Sequence, residues 1–178
     1  ADARTTPFDE ALGVHQQAED DTQHQRWDFE PTGADKYSLL LRYPYFQLYR
    51  TQVVKQADLV MAMYTRGDAF TAEEKARNFA YYEPLTVRDS SLSACVQAII
   101  AAEVGHIELA YDYLAEAALL DLQDRHNNSA SGLHLAALAG GWTGLVRGLA
   151  GLRTGDGRLR FAPRLPHDLT RLVVNLVY

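Results

Sequence analysis

Between Phe46 and Leu152 the chain runs through five helix-type segments joined by short connections, and that succession constrains the fold most. Phe46, Tyr49, Val53, Ala57, Val60 and Tyr64 recur at steps of three and four. That spacing is one apolar face of a helix predicted over 46–65, with Gly67 as its stop. "TAEEKARNFAYY" opens on Thr71 with Glu74 three residues on, a capping box, and ends at Pro84. "DSSLSACVQAIIAAEVG" predicts a third helix, capped by Asp89 or Ser90 and closed by Gly105. "HIELAYDYLAEAALLDL", 106–122, is a fourth, and "LHLAALAGGWTGLVRGLAGL", 133–152, a fifth. The Gly and Ala of the fifth allow close helix contact at a cost in helix propensity. Short connections imply antiparallel neighbours. No motif recurs at a fixed period, which argues against a repeat array.

The flanks differ. Residues 1–34 are polar and aperiodic and read as an extended arm, with Phe8, Leu12, Val14, Trp27 and Phe29 to pin it. A short helix within 35–43 is expected to stop before Pro44. After the fifth helix, "RTGDG" reads as a turn, and "RLRFAP" and "TRLVVNLVY" alternate as two strands around Pro163 and Pro166. A last strand with little to pair with, and a start without Met, lead us to expect a piece of a longer protein.

Of the 178 residues 47% are hydrophobic and 22% charged, enough to bury a core. A net charge of -6 argues against nucleic-acid partners, which need clustered Lys and Arg. No apolar run is long enough to span a membrane. One cysteine, Cys95, excludes an internal disulfide and fits a reducing compartment; with no signal peptide visible, the cytoplasm is expected.

Three places could carry chemistry. Lys55-Gln56 sits mid-helix in this reading, at the rim of the apolar face. Lys offers three donors and Gln two donors and an acceptor oxygen, a set that suits sugar hydroxyls. The pair also reads as a snorkelling Lys beside a partly exposed Gln. In "RDSSLSA", residues 88–94, Ser90 and Ser91 stand at a helix start, where unpaired N–H groups and the dipole favour anions such as phosphate. Plain N-capping explains the same residues. Arg88 would add charge, and Asp89 would oppose an anion unless turned away. His134, just inside the fifth helix, could donate to an anion or be structural. The histidines show no metal-ligand spacing, no glycine-rich nucleotide loop occurs, and Cys95 reads as core. Glycoside chemistry needs a general acid. The candidate carboxylates Asp58, Glu83, Asp89 and Glu103 carry no local signature, so the acid is expected outside this chain.

"YPYFQLYRTQVVKQADLVMAMY", "NFAYYEPLTVRDSSLSACVQAIIAAEVG" and "GLHLAALAGGW" resemble the C-terminal third of the catalytic domain of glycoside hydrolase family 65. "PFDEALGVHQQAEDDTQHQRWDFE" looks like the segment before it, and "FAPRLPHDLTRLVVNLVY" like the start of the family's C-terminal β-sandwich. The resemblance implies a mainly α fold: about five of the twelve helices of an (α/α)6 barrel, then the first strands of a β domain. The divisions expected are 1–34 arm, 35–154 barrel portion and 155–178 start of the β domain. It implies an inverting α-glucoside phosphorylase, acting with phosphate on a disaccharide of the trehalose, maltose or kojibiose type. Lys55 and Gln56 would hold the glucosyl unit, and Ser90, Ser91 and His134 would bind phosphate. The general acid, a Glu, belongs to an upstream motif absent here, so the chain alone is expected to be inactive. No metal or cofactor beyond the co-substrate phosphate is implied. The partners expected are disaccharide and phosphate, with neither nucleic acid nor membrane, and the family allows a homodimer. A trehalase-like hydrolase of the same family and a non-catalytic helical remnant stay open beside it.

Overall fold

The computed structural model of the chain describes residues 6–29, 39–87, 90–125, 127, 129–155 and 157–177. It is mainly helical, and its contacts fall into two compact units, Ala1–Ser90 and Ser91–Tyr178.

In the first unit, β1 (Phe8–Asp9) and β2 (Val14–His15) form an antiparallel hairpin, with Phe8 opposite His15. Asp9 builds it. Its Oδ1 accepts the backbone N–H groups of Ala11 and Leu12, both at 3.0 Å, and so mimics a turn. Its Oδ2 accepts from the Thr22 hydroxyl at 2.7 Å and from Gln23 Nε2 at 3.1 Å. Residues 6–29, aperiodic in sequence, are thus organised by the hydrogen bonds of polar side chains rather than by an apolar stripe. Of the expected pins, Val14 is buried and Phe29 packs on Val54, Leu59, Tyr82 and Leu85, while Leu12 stays exposed.

β3 (Gln25–Arg26) pairs in parallel with β4 (Thr51–Gln52), which follows α1 (Leu39–Arg42) and α2 (Tyr45–Leu48). Then come α3 (Asp58–Thr65) and α4 (Ala72–Tyr82). The single helix expected over 46–65 is therefore wrong, and Lys55-Gln56 does not lie within a helix. The physical reason is tertiary. The β-branched stretch Thr51, Val53 and Val54 suits an extended backbone. That backbone finds partners: the Val54 N–H donates to the Leu85 carbonyl at 2.9 Å, and the Val87 N–H to the Val54 carbonyl at 2.8 Å. Phe46 and Tyr49, placed on the buried face by spacing, are exposed. The α4 expectation holds: the Thr71 hydroxyl accepts from the Glu74 N–H at 3.1 Å, and the Glu74 carboxylate accepts from the Thr71 N–H at 2.7 Å.

In the second unit, α5 (Ser93–Val104) is buried on nearly every side, and Gly105 at φ 99° ends it. Leu92, not Ser90, holds the position before its first turn and caps nothing through its side chain; Asp89, the other expected cap, lies outside the described residues. α6 (Ile107–Leu119) follows. The expected fifth helix is α7 (Leu135–Thr143), continued by a π-helical segment, Gly144–Leu149. The small residues permit close approach. A Cβ on Gly140 would fall 2.7 Å from the Cys95 Cβ, and one on Gly144 would fall 3.0 Å from Leu114 Cδ1. β5 (Arg153–Gly155) and β6 (Arg158–Arg160) form an antiparallel hairpin. The second expected strand, over 170–178, does not form among the described residues up to 177. Its alternating pattern finds no partner strand among the described residues, and Leu169 and Leu172 instead pack against the cluster that contains Ala98, Tyr113 and Leu149. No described helix is long and apolar enough to cross a membrane.

Two outcomes follow from these contacts. Four hydrogen bonds, that from Thr22 foremost, hold the Asp9 carboxyl below the usual carboxylate range. A depressed folded value gives stability that is present above about pH 4 and lost as pH falls through the folded value. Asp9→Asn should flatten the acid limb of the unfolding midpoint against pH, and an unchanged limb would remove Asp9 as its source. Gln97 is buried in α5, and its Nε2 has no hydrogen-bond acceptor. Gln97→Met removes that unpaired donor and should stabilise by about 1 kcal/mol. Thermal melting should show a rise of about 3 °C.

Candidate functional site

The first unit contains an open cleft of about 310 Å³ whose wall includes Gln17, Tyr49, Lys55, Gln56, Asp58 and Tyr81. Lys55 is exposed and Gln56 half-buried, in a bend between Val54 and the start of α3. Two contacts fix this bend. One is the pairing of Val54 with Leu85 and Val87 given above. The other is Gln17, whose Nε2 donates to the Gln56 carbonyl at 3.1 Å and whose Oε1 accepts the Leu59 N–H of the first turn of α3 at 3.2 Å. One side chain so ties the bend to the helix it enters and satisfies a donor that the helix cannot pair internally.

Gln17 is itself anchored. Its backbone N–H donates to the Tyr82 hydroxyl at 3.0 Å and to Asp21 Oδ2 at 3.1 Å. The Tyr82 hydroxyl lies 2.9 Å from the His15 carbonyl and 3.0 Å from Asp21 Oδ2. Burial, more than any other cause, pushes the Tyr82 phenol far above its ordinary range, so it stays protonated. On the adjacent wall, Gln52 Nε2 donates to the Thr22 and His24 carbonyls at 2.9 and 3.0 Å, and its Oε1 accepts from the Tyr81 hydroxyl at 3.1 Å. Its side chain is engaged in holding the fold, while the ammonium of Lys55 is presented to solvent.

In the second unit, His134 holds the position before α7. Asp121 grips it twice: the carboxylate accepts the His134 backbone N–H at 2.8 Å and lies 2.6 Å from its Nδ1. The bonds from His134, ring first, hold the Asp121 carboxyl below its usual range. Ser91 is half-buried in the turn before α5.

Lys55 and Gln56 are brought together on one cleft wall. Ser90 closes the first unit without lining that cleft, and Ser91 and His134 belong to the second unit. Of the candidate carboxylates, Asp58 lines the cleft, Glu103 is 2.5 Å from Arg153, and Asp89 lies outside the described residues with Arg88. Sequence reasoning missed Gln17 and Asp121. Each acts on a partner distant in sequence, and neither stands in a pattern that local spacing reveals. Among the described residues no group of His, Cys, Asp and Glu could hold a metal ion.

A model of the glycosyl hydrolase family 65 central catalytic domain matches residues 1–143. The chain belongs to this family. It is 56% identical over 172 residues to an uncharacterized glycosyl hydrolase of Mycobacterium leprae, covering 97% of this chain and 22% of that protein. It is 42% identical over 166 residues to the α,α-trehalose phosphorylase of Geobacillus stearothermophilus, covering 93% and 22%. A solved structure provisionally assigned as a kojibiose phosphorylase from the human microbiome superposes with a TM-score of 0.82 at 28% identity, over 90% of this chain and 22% of that one. This family 65 segment spans about a fifth of the length of the curated relatives it matches.

Replacing Gln17 by Ala frees the Gln56 carbonyl and the Leu59 N–H at the cleft wall. A loss of about 1–2 kcal/mol is expected in denaturant unfolding of the chain. No loss would mean that the backbone pairing of Val54 holds the bend alone.

Proposed function

We propose that this segment supplies sugar and phosphate contacts to an inverting α-glucoside phosphorylase, which splits an α-linked glucose disaccharide with phosphate to β-glucose 1-phosphate and glucose. The observation that carries the reading is 42% identity to an α,α-trehalose phosphorylase along 93% of the chain. Lys55 and Gln56, fixed on the wall of an open cleft, offer the donors that a glucosyl unit needs. Ser90, Ser91 and His134 take the phosphate. Ser hydroxyls, helix N–H groups and an imidazole suit an anion and supply no base, and phosphorolysis needs none, because phosphate carries its own charge. The acid is a Glu contributed from outside the segment. It gives its proton to the glycosidic oxygen as the bond from C1 breaks, and a phosphate oxygen attacks C1 from the opposite face, which inverts the configuration.

One observation favours a second reading. Asp58 lines the cleft beside Lys55 and Gln56, and a hydrolase needs a carboxylate there to activate water. The relatives include uncharacterized glycosyl hydrolases, which leaves that chemistry open to the parent enzyme.

The test uses the full-length protein that carries this segment. It is incubated with trehalose, maltose and kojibiose, with and without phosphate, and glucose 1-phosphate and glucose are followed. The expected result is glucose 1-phosphate from one of the three only when phosphate is present, with Lys55→Ala lowering kcat/KM by about 100-fold. Glucose released without phosphate would establish the hydrolase and move attention to Asp58.

A further inference from the structure

We infer that Asp121 is a positioning residue for phosphate recognition, setting both the ring orientation and the tautomer of His134. The inference rests on the proposed role of His134 at the phosphate and extends it to a residue with no role in that reading. Asp121 Oδ1 lies 2.6 Å from His134 Nδ1, and Asp121 Oδ2 accepts the His134 backbone N–H at 2.8 Å. One carboxylate thus holds ring and backbone of the same histidine.

A deprotonated carboxylate only accepts, so Nδ1 must carry the proton in this contact. That assigns the tautomer: Nε2 is left as the ring atom available to a ligand, and it turns away from Asp121. The Asp121 side chain is only 8% exposed and that of His134 22%, so neither is a freely rotating surface group. Asp121 sits just past the end of α6 and His134 just before α7, so the pair closes the connection 120–134 at its base. The connection is otherwise held locally. Asp124 Oδ1 accepts the Ser129 N–H at 2.9 Å, and Asp124 and Asn127 adopt positive φ. A structural latch needs only the backbone bond. The ring bond adds something a latch does not require: it fixes which nitrogen faces outward. With Nδ1–H held on the carboxylate, Nε2 presents its lone pair outward, where it accepts from the P–OH of a hydrogen phosphate ion.

The experiment compares wild type, Asp121→Asn, Asp121→Glu and His134→Ala in the full-length protein. The Asn variant keeps an acceptor for the backbone N–H but faces Nδ1 with an amide donor, which forces the proton to Nε2. It should raise KM for phosphate about 10-fold or more, while KM for the disaccharide moves less than about twofold. Asp121→Glu, which keeps the charge, should recover part of that loss. It also stands in should the Asn variant fail to fold, a displaced carboxylate then still raising KM for phosphate alone. The ring ¹⁵N shifts of His134 should report Nδ1–H in wild type and Nε2–H in Asp121→Asn. If His134→Ala raises KM for phosphate and Asp121→Asn does not, or if the ring shifts do not change, Asp121 is not a positioning residue. If His134→Ala itself leaves KM for phosphate unchanged, the phosphate role of His134 fails, and the inference with it.

Discussion

The first unit is organised around one buried hydroxyl. Tyr82 ends α4, and its phenol receives the Gln17 N–H beside the His15 carbonyl and Asp21. The phenol shares its one proton between the His15 carbonyl and the Asp21 carboxylate and accepts the Gln17 N–H, so it joins three groups of one polar segment. The segment from His15 to Asp21 contains too few apolar residues to bury itself. It is kept on α4 by directional bonds to a buried phenol, and breaking one of them leaves a partly buried polar group without its partner. Gln17 depends on that anchorage, and the bend bearing Lys55 and Gln56 depends on Gln17. A chain of named contacts therefore runs from a helix end to the cleft wall.

Local rules read part of this from the sequence. The capping box of Thr71 and Glu74 and the stop at Gly105 are short-range chemistry, and both are found where the spacing put them. The small-residue pattern of 133–152 foretold tight packing, and Gly140 against Cys95 bears it out. The failures share a cause. The stretch 46–65 has helical periodicity, yet its middle is extended because Val54 finds carbonyl and amide partners on Leu85 and Val87, some thirty residues on. Periodicity reports which residues could share a face; it does not know that a β-branched stretch has a strand partner waiting. The alternation in 170–178 failed the other way, with the pattern present and no partner strand for it among the described residues.

The candidate site was legible in its residue types and not in its supports. Lys55 and Gln56 stand out because a polar pair interrupts an apolar run, and His134 because it opens a Gly-rich helix. Gln17 and Asp121 are ordinary polar residues in polar segments. Their roles come from partners 39 and 13 residues away, and no spacing rule connects them. Supporting residues are harder to read than ligating ones for a general reason. A ligand constrains the chemistry of the side chain that touches it, whereas a support can be any acceptor or donor that the fold brings within 3 Å.

The two supports also differ in what they control. The Gln17 side chain bonds only backbone groups, the Gln56 carbonyl and the Leu59 N–H, so it fixes where the cleft wall runs and does not touch the Lys55 ammonium. Asp121 bonds a ring nitrogen as well, which places the ring proton on Nδ1. Neutral sugar hydroxyls can accept from a rotating ammonium in several geometries, because both partners reorient at little cost. A phosphate oxygen meeting an imidazole has no such latitude. The wrong tautomer sets an N–H against the phosphate's own O–H, and the contact turns from attractive to repulsive with no heavy atom moved. Under the proposed function, sugar recognition in the first unit draws on shape and phosphate recognition in the second on the placement of a ring proton, and the two modes of support divide in that way.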